Sequence, residues 1–377
     1  MIHRRIKLRG RAIPAALAAA GLAAAGWLAA PAASASPARP GPGPVTGGAA
    51  EHLMSPRATL AYWTAARLRS ARPADLIHAG AQASVRPATA RPAGKAGHVT
   101  GGLPSGAGAA LAAISRGGST DAFTYPFPYD SFTPPQSLWK KYPYEVNGKL
   151  FFTNDGGNFV CSATSVASAS GAKNENEIWT AGHCLVNTEA NNQVVDSSAM
   201  FIPAYNGNKT LKKNYAPYGE FTWTGAWETS TAWYNNRDLT EDEAAMTVGR
   251  SSSTGRTLGN AVGWDGFAWN FPVNEQFVAF GYPAASPYNG KNLIEDIGAT
   301  AGQDGNGGAN PVNPIVIGSP LTGGSSGGAW NIDWTDSGPG FINGHNDYIY
   351  TNQPNAMYSP YQDTVSNEVR CFGASSC

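Results

Sequence analysis

The stretch LTGGSSGGAW, residues 321 to 330, sets two adjacent serines among four glycines. A run with so little side chain fills no core. It suits a loop whose backbone must come close to a reacting atom, because glycine has no Cβ and tolerates turns closed to other residues. A serine becomes a strong nucleophile when a base takes its proton, and histidine is the base suited to neutral pH. The chain has six histidines: His3, His52, His78, His98, His183 and His345. The first four precede residue 121, so His183 and His345 remain for the globular part. His183 stands in EIWTAGHCLVN, directly before Cys184, and Cys161 lies upstream in FVCSATSV. A bridge between those cysteines would fix the turn that carries the imidazole, as a general base within hydrogen-bond reach requires.

WTAGHC followed by GGSSGG, and preceded by GKLFFTNDGGNFVCSATSV, resembles the chymotrypsin-fold serine proteases. The nearest likeness is to secreted bacterial members and the glutamyl endopeptidases, over residues 146 to 365. The serine motif departs from the family's usual G-D-S-G-G-P, with Ser325 for the aspartate and Ala329 for the proline. The resemblance implies that Ser326 is the nucleophile and His183 its base. It also implies an oxyanion hole made by the backbone N–H groups of Gly324 and Ser326. The acid of the triad belongs between His183 and Ser326, at the opening of a short apolar strand. DEAAMTV fits that better than DLTEDEA, so Asp242 is expected rather than Asp238.

Specificity is less fixed. Pro320 stands six residues before Ser326, where trypsin-like members hold an aspartate, so a strong preference for basic residues is not expected. FINGHNDY resembles the pocket-wall strand of glutamyl endopeptidases and would bring His345, with Thr322, to a substrate carboxylate. An acidic preference and a neutral or apolar pocket both remain open. With serine at position 325 there is no carboxylate to receive a newly cut N-terminus, so latency is expected to come from a pro-segment. The resemblance implies a monomeric enzyme acting on protein or peptide. It implies no metal, cofactor or nucleic acid.

Two other functions compete. GSSGG also satisfies the G-x-S-x-G elbow of α/β-hydrolase esterases, but that fold wants a helix after the serine and the order Ser, acid, His. Here a strand-like AWNIDW follows, and His183 precedes the serine. A non-catalytic or accessory binding protein on the same barrel would be signalled by a lost triad member, and none is lost.

The elements that must position these residues read as all-β. GKLFFTN, NFVCSATSVAS, EIWTAG, SAMFIPAY, FTWTGAW, EAAMTVG, QFVAFGYP, PIVIG, GGAWNIDW and GFINGHN are short apolar runs between Gly, Asn, Pro and Asp clusters. With the resemblance, they predict two six-stranded antiparallel β-barrels. Barrel one spans about 146–255 and barrel two about 256–365, with the site in the crevice between them.

Formal charge is balanced at 26 basic and 26 acidic residues, which hides an asymmetry. Residues 1–120 carry 14 basic and 2 acidic groups, and 121–377 carry 12 and 24. Arg4, Arg5, Lys7, Arg9 and Arg11, an Ala/Leu run and Ala33-Ser34-Ala35 form the three parts of a secretory signal over 1–35. Residues 36–120 are expected to be a basic pro-segment or linker, with one helix within SPRATLAYWTAARLRSARP capped by Ser55. A secreted chain with four cysteines predicts disulfides rather than metal or redox chemistry. Of the three possible connectivities, proximity favours Cys161–Cys184 and Cys371–Cys377.

Overall fold

The computed structural model describes residues 44–47, 53–74, 76–78, 81–88, 94–105, 123–168, 176–187, 193–194, 198–308, 310–336 and 338–372. The proposed signal over 1–35 lies outside these. Among the described residues no helix is long and apolar enough to cross a membrane.

Alternation along the strands builds two cores. In Asn147–Asn154, Leu150 and Phe152 point into one barrel, while Phe151 points outward to Tyr282 and Phe280 of the other. Successive side chains of a strand face opposite ways, so a strand buried on both faces reads as a continuous apolar run. Barrel one closes in the order Phe221–Ser230, Met200–Pro203, Asn147–Asn154, Gly157–Ser165, Glu177–Thr180, Ala244–Val248, the last pairing back to the first. All six pairings are antiparallel.

Barrel two runs Ala356–Ser359, Ile315–Gly318, Ile294–Asp304, Gln276–Gly281, Ala329–Ile332, Phe341–His345. A bridge between Tyr348 and Tyr358, and the His345 N–H donating to Ser359 Oγ at 2.9 Å, bring its ends together. Phe277, Ile294, Ile317, Trp330 and Met357 fill its centre. The fold is the expected pair of barrels. A strand, Ala329–Ile332, follows the serine loop, which is not the arrangement of an α/β-hydrolase elbow.

The N-terminal segment is more ordered than a linker composition foretells. Ser55 does cap a helix, Pro56–Tyr62, but the expected single helix is two. Thr64 caps a second, Ala65–Ser70, because its hydroxyl accepts the Arg67 N–H and competes with helix continuation. The break turns Trp63 and Leu68 onto Phe151 and Met200, and Trp63 Nε1 donates to the Ser198 carbonyl at 2.6 Å. Burying such a side chain contributes about 2 kcal/mol. Short strands then join both barrels. Arg72–Pro73 pairs with Gly157–Ser165, and Ile77–His78 pairs with Ile349–Tyr350. Val85–Arg86 pairs with Ile294–Asp304.

Candidate active site

His183 sits in a 3₁₀ turn, Gly182–Cys184, at the end of strand Glu177–Thr180. Cys184 is bonded to Cys161, in the adjoining strand, with Cα atoms 6.2 Å apart. Cys371 is disulfide-bonded as well, and its expected partner Cys377 lies outside the described residues. The turn is also held by Asp242. Its Oδ1 accepts the His183 backbone N–H at 2.7 Å, and its Oδ2 lies 3.0 Å from Nδ1. Gly182 admits this approach, since a Cβ there would stand 2.7 Å from Asp242 Oδ1 and 2.6 Å from Trp233 Cδ1.

Asp242 follows the 3₁₀ turn Leu239–Glu241 and precedes strand Ala244–Val248, and it is fully buried. Asp238 is engaged elsewhere, capping that turn by accepting Thr240 N–H at 3.0 Å and Thr240 Oγ1–H at 2.6 Å. Of the two candidates, then, Asp242 and not Asp238 reaches His183. With Nδ1–H donating to a carboxylate, the ring's lone pair is left on Nε2. That nitrogen is buried and has no hydrogen-bond partner among the described residues.

The serine loop packs its backbone straight onto barrel one. The Ser162 N–H donates to Ser326 O at 2.7 Å, and Ser162 Oγ donates to Gly324 O at 2.9 Å. Gly327, at φ +79°, allows that contact, because a Cβ would stand 2.1 Å from Thr180 Oγ1. The two serines differ. Ser325 Oγ donates to Thr322 O at 2.7 Å, whereas Ser326 Oγ has no hydrogen bond among the described residues. The N–H groups of Gly324 and Ser326 likewise donate to no protein acceptor among them, while those of Ser325, Gly327 and Gly328 all do.

A cavity opens beside Ser326, with Thr322 and Gly323 on one wall and Ile349 and Met357 on the other. Of the three residues predicted for the substrate pocket, Thr322 lines it, whereas Pro320 and His345 do not. His345 is fully buried against Trp179, and its Nε2–H donates to the Asp242 carbonyl at 2.9 Å. Burial lowers its pKa to about 4. It is a neutral prop beneath the acid.

One residue escaped the sequence reading. Asp347 Oδ1 lies 3.3 Å from His183 Nδ1, with its side chain fully buried. It lies two residues past the end of strand Phe341–His345, where no strand period applies. Burial weighs against a charge on His183, but its hydrogen-bonded partner Asp242 opposes that and pushes the pKa upward.

Among the described residues, two groups bring possible metal ligands within 4.8 Å: Cys161, His183, Cys184, and His183, Asp242, Asp347. The first has its sulfurs in a disulfide, which leaves no thiolate to bind a metal. In the second, both Asp242 oxygens already hold His183.

No family model and no curated protein matches the chain. Among solved structures it is similar to a thermostable serine protease, AL20, from an extremophilic microorganism. Identity is 30%, coverage 64% of this chain and 99% of that one, and the TM-score 0.52. It is similar also to the protease Anisep from Arthrobacter nicotinovorans, at 34% identity, 62% and 96% coverage and a TM-score of 0.51. A Glu endopeptidase in complex with MPD, at 19% identity, 63% and 94% coverage and a TM-score of 0.46, is too remote to bear on specificity. With its paired barrels and with relatives covered almost end to end, the chain belongs to the chymotrypsin-fold serine proteases.

Proposed function

We propose that this protease is a secreted serine endopeptidase working through Ser326, His183 and Asp242. The observation that carries the reading is the double grip of Asp242 on His183, through the backbone N–H at 2.7 Å and Nδ1 at 3.0 Å. It sets the tautomer whose Nε2 accepts a proton. Nε2 takes the proton of Ser326 Oγ as the oxygen bonds to the carbonyl carbon of the scissile peptide. The carbonyl π electrons move to oxygen, where the N–H groups of Gly324 and Ser326 meet the negative charge. The imidazolium returns its proton to the leaving nitrogen as the C–N bond breaks, giving an acyl-serine and a free amine. Water, deprotonated by the same Nε2, then hydrolyses the ester and restores Ser326.

A basic leader and an oxidised Cys161–Cys184 pair support secretion, because disulfides persist in oxidising compartments. The docking of Trp63 and Leu68 supports reading residues 36–120 as a pro-segment rather than a tether. An active-site-directed test is a burst of product with an ester substrate, equal to one equivalent of enzyme, followed by slower turnover. Absence of both burst and turnover, with substrates of every side-chain class, would end the reading.

A further inference from the structure

The cavity beside Ser326 is bordered by the chain's own N-terminal segment, through Leu76 and Ile77. Residues 72–74 lie on barrel one, with Arg72 opposite Phe159 and the Ala74 N–H donating to Val160 O at 3.0 Å. Three residues after Ala74 the chain has reached barrel two, where Ile77 pairs with Ile349 and His78 with Tyr350. The Ile349 N–H donates to Leu76 O at 3.4 Å, and the His78 ring packs on Tyr348 and Tyr350 at 5.2 and 5.3 Å. The segment therefore crosses the crevice at the serine. Leu76 and Ile77 close the cavity, and the space left is about 10 Å³, room for about one water.

The walls say what the cavity takes. Ile349 and Met357 are apolar. Thr322 Oγ1 donates to Ala285 O at 2.9 Å and Ser325 Oγ to Thr322 O, so neither hydroxyl hydrogen is left for a ligand. Asp347, the charged residue type in the lining, turns Oδ1 toward His183. His345 is committed to the Asp242 carbonyl. Apart from the Ser326 hydroxyl and the Asp347 carboxyl, which belong to the catalytic cluster, a substrate carboxylate would find no side-chain donor and no positive partner here, and burying it so is costly.

We propose that this cavity is the primary substrate pocket, that it selects aliphatic side chains, and that the segment carrying Leu76 lies across its mouth, with the half-exposed Ile77 beside it, holding the cleft shut until the segment leaves. The proposal rests on the serine endopeptidase reading and goes further by naming the side-chain class and the plug. It sets aside the acidic preference that His345 would have provided.

The test uses the full chain and its Leu76→Asp variant, with Leu76→Ala in its place if the first does not melt cooperatively. Two quantities are read: the rate at which a fluorophosphonate labels Ser326, and cleavage of matched peptides with Leu, Glu or Arg before the scissile bond. Freeing a binding-competent fraction raises apparent reactivity in proportion, so the variant should label about tenfold faster. It should cleave the Leu peptide roughly 100-fold better than the Glu peptide, since an unpaired buried carboxylate is rejected strongly. Equal labelling rates with peptide turnover would overturn the plug and leave the protease reading standing. A preference for Glu or Arg would overturn the pocket assignment. No labelling of either protein would overturn the serine reading and this inference with it.

Discussion

Asp242 and Asp347 converge on one atom: Nδ1 of His183 lies 3.0 Å from Oδ2 of Asp242 and 3.3 Å from Oδ1 of Asp347. Asp242 accepts hydrogen bonds at both oxygens, the role of an ionised carboxylate. Burial, and then the charge of Asp242, push the pKa of Asp347 well above the carboxylate range. Two adjoining buried carboxyl groups do not both ionise at low cost, so one keeps its proton. That proton belongs to Asp347, which makes it a positioning residue with a neutral carboxyl set against the acid.

Asp347→Asn preserves shape and neutrality. It should leave the acidic limb of the kcat/KM profile in place and hold kcat/KM within about threefold. An acidic limb displaced downward by about one pH unit or more would show that Asp347 is an anion in the working enzyme.

Asp242 and Asp238 should separate cleanly. Asp242→Asn replaces an acceptor with a donor opposite Nδ1 and should lower kcat by roughly 10⁴-fold. Asp238→Ala removes a cap, so it should cost about 1 kcal/mol of stability with turnover nearly unchanged. Equal losses of activity in the two variants would contradict the assignment. Denaturant melts beside peptide kinetics make the comparison.

The fold should be more stable in acid than at neutral pH. Burial raises the pKa of Glu145, Glu275, Glu295 and Asp296 to about 7, and among the described residues none has a basic side chain within ion-pair distance. Tyr218 faces Glu145, Asp333 faces Glu275, Tyr144 and Asp336 face Glu295, and Ser319 and Asp130 face Asp296. A carboxyl raised in the folded state binds more protons folded than unfolded. Its contribution is therefore fully present below the unfolded value and is lost as pH rises through about 7. His345, His78 and Lys149, all lowered by burial, act oppositely, but Glu241, Glu243, Asp265 and Asp363 are raised by burial in the same sense as the four. Thermal melts should fall by on the order of 5 °C between pH 5 and 8. A rising Tm over that range would mean the four carboxyls are ionised in the fold.

Breaking the bridge near the base should cost stability and activity together. Paired Cys161→Ala and Cys184→Ala substitutions open a loop of 23-residue separation, for which chain-entropy arguments give about 3 kcal/mol. Cys184 adjoins His183, so kcat should fall too. A loss of stability with kcat intact would show that Asp242 alone fixes the turn.

Much of this was legible in the sequence because it is local. TAGHC carries its base, its cysteine and its tight glycine within five residues, and strands such as Gln276–Gly281 announce themselves as short apolar runs between turn residues. What escaped is long-range. Arg72–Pro73 and Ile77–His78 are two-residue strands, too short for any period, and they exist because partners Phe159 and Ile349 lie far along the chain. The surroundings of His345 are long-range as well. Its motif fixed the strand, but the face it occupies was set by the Asp242 carbonyl. The single helix expected after Ser55 gave way to two because burial of Trp63 and Leu68 outweighed continuation through Thr64.

The central claim is that Ser326, and not its neighbour, is the nucleophile. Fluorophosphonate adduct mapping by peptide mass spectrometry tests it most directly, with wild type beside Ser326→Ala and Ser325→Ala. An adduct is expected on Ser326 in wild type and in Ser325→Ala, and none in Ser326→Ala, whose kcat should fall by roughly 10⁶-fold. An adduct on Ser325, or undiminished turnover by Ser326→Ala, would contradict it.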